Sequence, residues 1–138
     1  QGMITKDPAE IDRLNRGLWD KIMAHRDTLE RAEVDAEPEA ETLLVSFGTA
    51  SGAMWEGLML ARRSGKRAAA IALQSLWPVP ERMLRRAADG VSRVVVGELN
   101  PGLYVREIER LFPDREVISM HRVDGQLLAP EAYADRCL

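Results

Sequence analysis

The sequence predicts an α/β domain with parallel strands and helices on both faces of the sheet. Three observations carry that reading. From Thr42 onward, short apolar runs alternate with stretches of helical spacing in the order β-α-β-α-β-α-β-α. Alternation of this kind builds parallel strands joined by right-handed crossovers. The runs Leu43-Leu44-Val45, Ala68 to Leu73 and Val94-Val95-Val96 are nearly continuous, as strands covered on both faces are. Turn signals separate the segments: Gly48-Thr49-Ala50-Ser51-Gly52, Asp89-Gly90, Pro101-Gly102 and Asp124-Gly125.

Composition narrows the function classes. The 138 residues suffice for one domain with a core, and 46% apolar with 30% charged residues is ordinary for a globular chain. No apolar run approaches the roughly 18–20 residues that span a membrane, and no leader pattern is visible at the start. The lone Cys137 excludes an internal disulfide and a cysteine-ligated cluster within this chain. A reducing, cytoplasmic setting is expected. The net charge of −3 announces no nucleic-acid partner. Arg82, Arg85 and Arg86 form a small basic face, but no aromatic residue interleaves it.

The N-terminal part differs in kind. Residues 7–41 carry eleven acids and five bases, against eleven acids and thirteen bases in residues 42–138. Gln1-Gly2-Met3 reads as a remnant before a start or cut point. Asp7-Pro8-Ala9-Glu10 opens a helix: Asp7 caps, Pro8 takes the first helical position, and Glu10 sits three residues after the cap. Ile11, Leu14, Leu18, Ile22 and Leu29 recur at helical spacing, with Trp19 and Met23 beside them. The pattern runs to about Glu33, a rod of roughly 40 Å at 1.5 Å per residue. So long a helix is expected to pack across the domain or against another body, and its apolar stripe would also support homodimerisation. Asp35 to Glu41, with Pro38, reads as an acidic linker. The division is therefore a remnant (1–3), a helix with linker (4–41) and an α/β domain (42–138).

Within that domain Thr42 to Phe47 is the first strand. Met54, Trp55, Leu58 and Ala61 mark the next helix, which ends near Ser64-Gly65. Ala68 to Leu73 is the second strand and runs on towards Trp77-Pro78. Pro80 opens a short helix with Met83, Leu84, Ala87 and Ala88 inward. The third strand leaves Arg93 and ends at Gly97-Glu98. A helix from about Leu103 to Leu111 points Val105, Ile108 and Leu111 inward. Glu116 to His121 is the fourth strand, and Ala129-Pro130-Glu131 starts the last helix.

Two stretches could carry chemistry. The turn holding Gly48, Thr49 and Ser51 leaves backbone N–H groups open where a helix begins, which suits an anion. It matches neither G-x-G-x-x-G nor a Walker loop, so a tight strand-to-helix turn that needs glycine is the preferred reading. Glu98 and Asn100 stand two residues apart at a strand end and point to one side, where they can hold a ligand or tie down loops. Trp77 and Pro78 shape a third loop. His25 and His121 lack metal-site spacing, and neither a metal site nor a catalytic set can be assembled.

Taken together, Leu44-Val45-Ser46-Phe47-Gly48-Thr49, Leu76-Trp77-Pro78-Val79-Pro80 and Val96-Gly97-Glu98-Leu99-Asn100-Pro101-Gly102 occur in that order. Arg122-Val123-Asp124-Gly125 and Pro130-Glu131 follow. This ordered set resembles the C-terminal, transketolase-C-like domain of the α subunit of 2-oxoacid:ferredoxin oxidoreductases. The resemblance implies a three-layer α/β/α unit with a mostly parallel sheet of four or five strands, its parallel core ordered 2-1-3-4. In that order Gly48-Thr49 and Glu98–Asn100 meet at one switch point. The family converts a 2-oxoacid to an acyl-CoA with thiamine diphosphate, Mg²⁺ and iron–sulfur clusters, and passes electrons to ferredoxin. The implied partners of this chain are the remaining domains of the α subunit and a β subunit. One departure stands out: family members often carry Gln after the strand-end glycine, whereas Gly102 is followed by Leu103.

The chain has no Gly-Asp-Gly with a downstream Asn pair and no Cys-x-x-Cys. It is therefore expected to bind none of these cofactors and to be inactive alone, serving assembly instead. Two other readings stay open. One is an anion- or nucleotide-binding module built on the Gly48–Gly52 turn. The other is the C-terminal domain of a different thiamine enzyme, such as transketolase.

Overall fold

The computed structural model describes residues 4–138, so Gln1-Gly2-Met3 lie outside the described residues. In chain order the elements are α1 (Pro8–Ala24), α2 (Arg26–Leu29), β1 (Ala32–Asp35), β2 (Thr42–Phe47), α3 (Ala50–Arg63), β3 (Ala68–Leu73), α4 (Glu81–Ala87), β4 (Arg93–Glu98), α5 (Val105–Leu111), β5 (Glu116–His121) and α6 (Pro130–Arg136). One five-stranded sheet runs β1-β3-β2-β4-β5, with β1 antiparallel and every other pairing parallel. The parallel core thus has the order 2-1-3-4 that the resemblance implies.

The three layers follow from side-chain alternation along each strand. Leu43, Val45, Val94 and Val96 face a core closed by Leu84 of α4 and Ile108 and Leu111 of α5. Leu44 and Val95 face the other way, towards Met54 and Leu58 of α3 and Tyr133 of α6. β3 is built largely of alanine and buried along its whole length.

The N-terminal segment departs from the expected single helix. α1 ends at Ala24, and the segment read as the helix's last turn and the linker's start is strand β1. Ala32 lies opposite Leu73 and Asp35 opposite Ala70. The physical reason is tertiary. The outer edge of β3 carries backbone groups that need partners, and pairing them outweighs a weak local helical period. Arg26 fixes the bend by donating to the Val79 carbonyl at 2.7 Å and by pairing with the buried Glu30. The acidic linker is clamped rather than loose. Asp35 takes a two-pronged bond from Arg62 at 2.8 and 3.1 Å, and Glu39 and Glu41 pair with Arg67.

α1 has no fully buried residue, and its Ile22 and Met23 are half-buried. Asp7 caps it, accepting from the Ala9 N–H at 2.9 Å. Its stripe residues Ile11, Leu14 and Leu18 are all exposed, and Trp19 meets Trp77 with ring centroids 5.4 Å apart.

Candidate functional site

Adjacent parallel strands whose following helices leave on opposite faces open a crevice at their carboxyl ends. β2 and β4 are such a pair. Ser46 lies opposite Gly97, so the turn after Phe47 and the loop after Glu98 start side by side. α3 then packs on one face of the sheet and α5 on the other. The structure therefore places Gly48, Thr49, Ser51, Glu98, Asn100 and Gly102 at neighbouring strand ends.

Each of these residues has a local cause. Gly48 has φ of 58°, a conformation that favours glycine, and its carbonyl accepts from the Ser51 N–H at 3.2 Å. Thr49 is exposed, precedes α3 and makes no side-chain cap. Glu98 is fully buried, and its carboxylate accepts from the N–H groups of Tyr104 at 2.9 Å and Val105 at 3.1 Å. A carboxylate on these N–H groups satisfies orphan donors at the start of α5 and suits the positive end of its dipole. The Asn100 side-chain oxygen accepts from the N–H groups of Gly102 and Leu103 at 3.0 and 2.9 Å. Gly102, with φ of 79°, closes that turn. Both polar side chains singled out at this strand end are thus bonded to the backbone of their own loop.

Trp77 and Pro78, joined by a cis peptide bond, line a neighbouring cleft of about 340 Å³. Arg26, Tyr104, Glu107 and Arg110 complete it with Leu76, Val79 and Glu81. Its charges are paired among themselves. Arg110 bonds Glu81 at 2.8 Å and Glu107 at 3.0 Å, and that pairing holds the Glu81 carboxyl below its usual range. Tyr104 stacks edge-on against Phe47 with centroids 5.4 Å apart, and burial pushes its phenol up from the usual value.

Several residues that build this end were not legible as such. Tyr104 closes the cleft floor, its hydroxyl donating to the Leu76 carbonyl at 3.4 Å. Tyr133 reaches from α6 to Ser46, hydroxyl to hydroxyl, at 3.4 Å. Ser46 in turn donates to the Gly97 carbonyl at 2.8 Å. The strand-end serine gave a signal, since a hydroxyl in an apolar strand needs a partner; the tyrosines gave none.

Among the described residues no three His, Cys, Asp or Glu side chains converge to hold a metal ion. Cys137 is a single buried thiol whose hydrogen points to the Tyr133 carbonyl. One cysteine cannot ligate an iron–sulfur cluster, which takes several thiolates.

With that geometry in hand, known proteins place the chain. Residues 40–133 match the family described as pyruvate:ferredoxin oxidoreductase core domain II. The chain is 29% identical over 133 residues to the 2-oxoglutarate synthase subunit KorA of Methanothermobacter thermautotrophicus, covering 96% of this chain and 35% of that protein. Among solved structures, the 2-oxoglutarate:ferredoxin oxidoreductase of Magnetococcus marinus, with 2-oxoglutarate, coenzyme A and succinyl-CoA bound, superposes with a TM-score of 0.75. It is 21% identical, and the match covers 98% of this chain and 24% of that one. A split-gene transketolase, an inactive β4 tetramer, superposes with a TM-score of 0.64 at 17% identity, over 78% of this chain and 41% of that one. The chain spans about a third of the length of the curated relatives it matches. By its matched residues and its fold, the chain belongs to the pyruvate:ferredoxin oxidoreductase core domain II family.

Proposed function

We propose that this chain is an assembly domain of the α subunit of a 2-oxoacid:ferredoxin oxidoreductase. It holds the subunit's other domains and a β subunit in register while the oxidation of a 2-oxoacid to an acyl-CoA proceeds on residues outside it. Thiamine diphosphate, Mg²⁺ and iron–sulfur clusters would supply the decarboxylation and electron transfer of the whole complex. No step of that chemistry is assigned to the side chains described above.

One observation carries the reading. The loops at the carboxyl end of the sheet expose a set of large apolar side chains: Leu76 and Trp77 after β3, Leu99 and Leu103 after β4, and Val123 after β5. Trp77 is 51% exposed and Leu103 60%. The stripe of α1 continues this set through the Trp19–Trp77 contact. Scattered apolar residues on a surface are unremarked, but a run of them on successive loops of one end marks an interaction face. Glu98 and Asn100 fit this role as the tethers that hold the loop carrying Leu99 and Leu103 in one shape. Leu103 is the departure noted in the sequence, where a polar Gln is common; an apolar side chain there suits a contact face.

The test is co-expression of the chain with the remaining α and β polypeptides of its complex, followed by affinity capture. Capture of all components, with 2-oxoacid- and CoA-dependent ferredoxin reduction, is expected. Trp77→Asp with Leu103→Asp should abolish capture and lower the melting temperature of the isolated chain by no more than the few degrees that the Trp19–Trp77 pair supplies. Turnover of a 2-oxoacid by this chain alone, or capture that survives both substitutions, would refute the reading.

A further inference from the structure

The sheet has two edges, and they are managed differently. An open edge is a row of unpaired N–H and C=O groups that templates another strand, and proteins blunt it with short strands, charges and proline. The β1 edge is blunted: it is four residues long, ends at the Asp35–Arg62 clamp, and is followed by Pro38. The β5 edge is not. It is six residues long, and Val117-Ile118-Ser119-Met120 contains no charge and no proline. Among the described residues β5 pairs only with β4.

The direction of its free groups can be read from the bonds already made. The N–H of Glu116 donates to the Ser92 carbonyl and that of Arg122 to the Glu98 carbonyl, so even-numbered residues of β5 turn their backbone inward. Val117, Ser119 and His121 therefore present theirs to the outside.

From this edge we infer that two copies of the chain pair antiparallel through β5, with Ser119 on the two-fold axis. The sequence is self-complementary in that register. Val117 meets His121 of the second copy, Ile118 meets Met120, and Glu116 meets Arg122, each twice, as an isologous contact requires. All the outward backbone groups find partners. Ile118 with Met120 is then apolar with apolar and Glu116 with Arg122 acid with base, pairings that stabilise a sheet, while Val117 meets His121, Ser119 meets itself, and Arg122 shares its guanidinium with Asp124 of its own chain. Glu116 already lies beside Arg93, 2.8 Å from its guanidinium, so the pairing extends a row of alternating charge across both sheets. The neighbouring registers lack this match. Moving the axis to Ile118 sets Glu116 against Met120, and moving it to Met120 sets Arg122 against Ile118. The two five-stranded sheets become one of ten strands, with each helical layer continuing across the axis. This contact is independent of the carboxyl-end face and of the α1 stripe.

Light scattering after size exclusion, over a concentration series reaching the millimolar range, tests the pairing. The expected particle is twice the 15.4 kDa chain. Ser119→Pro removes an outward N–H and no ladder bond, and should return the particle to a single chain with its circular dichroism unchanged. Ser119→Cys should cross-link to a reducible dimer on mild oxidation, whereas Val117→Cys should not, because residue 117 faces residue 121. Glu116→Arg should dissociate the dimer, and Glu116→Arg with Arg122→Glu should restore it. A wild-type chain that stays at single mass throughout overturns the proposal. So does a dimer that survives Ser119→Pro, or a Ser119→Cys chain that fails to cross-link.

Discussion

Tyr133 occupies the space that a side chain on residue 97 would need: a Cβ built on Gly97 falls 1.8 Å from the Tyr133 hydroxyl and 2.4 Å from the ring carbon that carries it. The same tyrosine fills the gap at Gly57, where a Cβ would meet its Cβ at 2.6 Å. Two glycines, one on β4 and one on α3, thus let a fully buried tyrosine lie flat between helix and sheet. Its hydroxyl bonds Ser46, whose hydroxyl bonds the Gly97 carbonyl.

Gly97→Ala is therefore expected to destabilise the chain by about 3 kcal/mol, at the upper end for overpacking, because the ring is held on every side. That corresponds to a fall in Tm of roughly 10 °C for a chain of this size. Tyr133→Phe loses one long hydrogen bond and should cost about 1 kcal/mol. Because it also removes the atom in the worst contact, Gly97→Ala with Tyr133→Phe should cost less than the sum of the two changes. Urea melts of the four proteins of this cycle measure the coupling.

Glu98 is held by two backbone donors in a site with no solvent. Glu98→Gln keeps one acceptor and turns an NH₂ towards an N–H, leaving a buried donor without a partner. A loss of about 2–3 kcal/mol is expected. Hydrogen exchange locates the effect: the amides of Tyr104 and Val105 should lose protection first, while those of β2 and β3 follow the global stability. Uniform loss across the sheet would mean that Glu98 is not a local tether.

The elements from Thr42 onward were legible because local and tertiary preferences agree there. A continuous apolar run is a strand in isolation and remains one in the sheet. The expectation failed at Ala32-Glu33-Val34-Asp35. Nothing within those four residues names a strand; the identity comes from the β3 edge about forty positions later. Glu98 was visible as a strand-end acid, but which groups it would reach was not, because the turn at Asn100–Gly102 sets the path that brings the Tyr104 and Val105 amides back to it. Tyr133 was invisible for the same reason at longer range. Its role depends on Gly57 and Gly97 converging, which is a fact of topology and not of any local period.

Both tyrosines of the chain are buried. Burial raises the phenols of Tyr104 and Tyr133, and it also raises the Cys137 thiol, with Lys66 and Arg93 partly opposing the shift. In each case the folded state holds its proton at a pH where the unfolded chain has released it. The contribution is fully present below the unfolded value, about 8.5 for a thiol and about 10 for a phenol, and is lost as pH rises towards the folded value. Stability should therefore decline in two stages on the alkaline side. Cys137→Ala should remove the first stage, and Tyr104→Phe with Tyr133→Phe the phenolic part of the second. Urea midpoints at a series of alkaline pH values test this, and a wild-type profile that stays level above pH about 10 would contradict it.

Among the described residues, α1 meets the rest through Trp19 against Trp77, through the half-buried Ile22 and Met23, and through the Arg26 anchor beyond its end. None of its residues is buried. Its exposed ion pairs, Glu10–Arg13 and Asp12–Arg16, stand in solvent and contribute little to stability. Removing residues 1–24 should accordingly cost the aromatic pair, about 0.5–1 kcal/mol, and the partial burial of Ile22 and Met23, together about 2–3 kcal/mol or roughly 10 °C in Tm. Trypsin should cut at Arg13, Arg16 and Lys21 before any bond within the sheet. The same truncation should strongly weaken capture of the other α and β polypeptides, since it deletes Ile11, Leu14, Leu18 and Trp19 from the face assigned to assembly. It should leave the number of chains in the particle at two, because the β5 edge lies elsewhere. A truncated chain that melts far below the parent would show instead that α1 is part of the core of this domain.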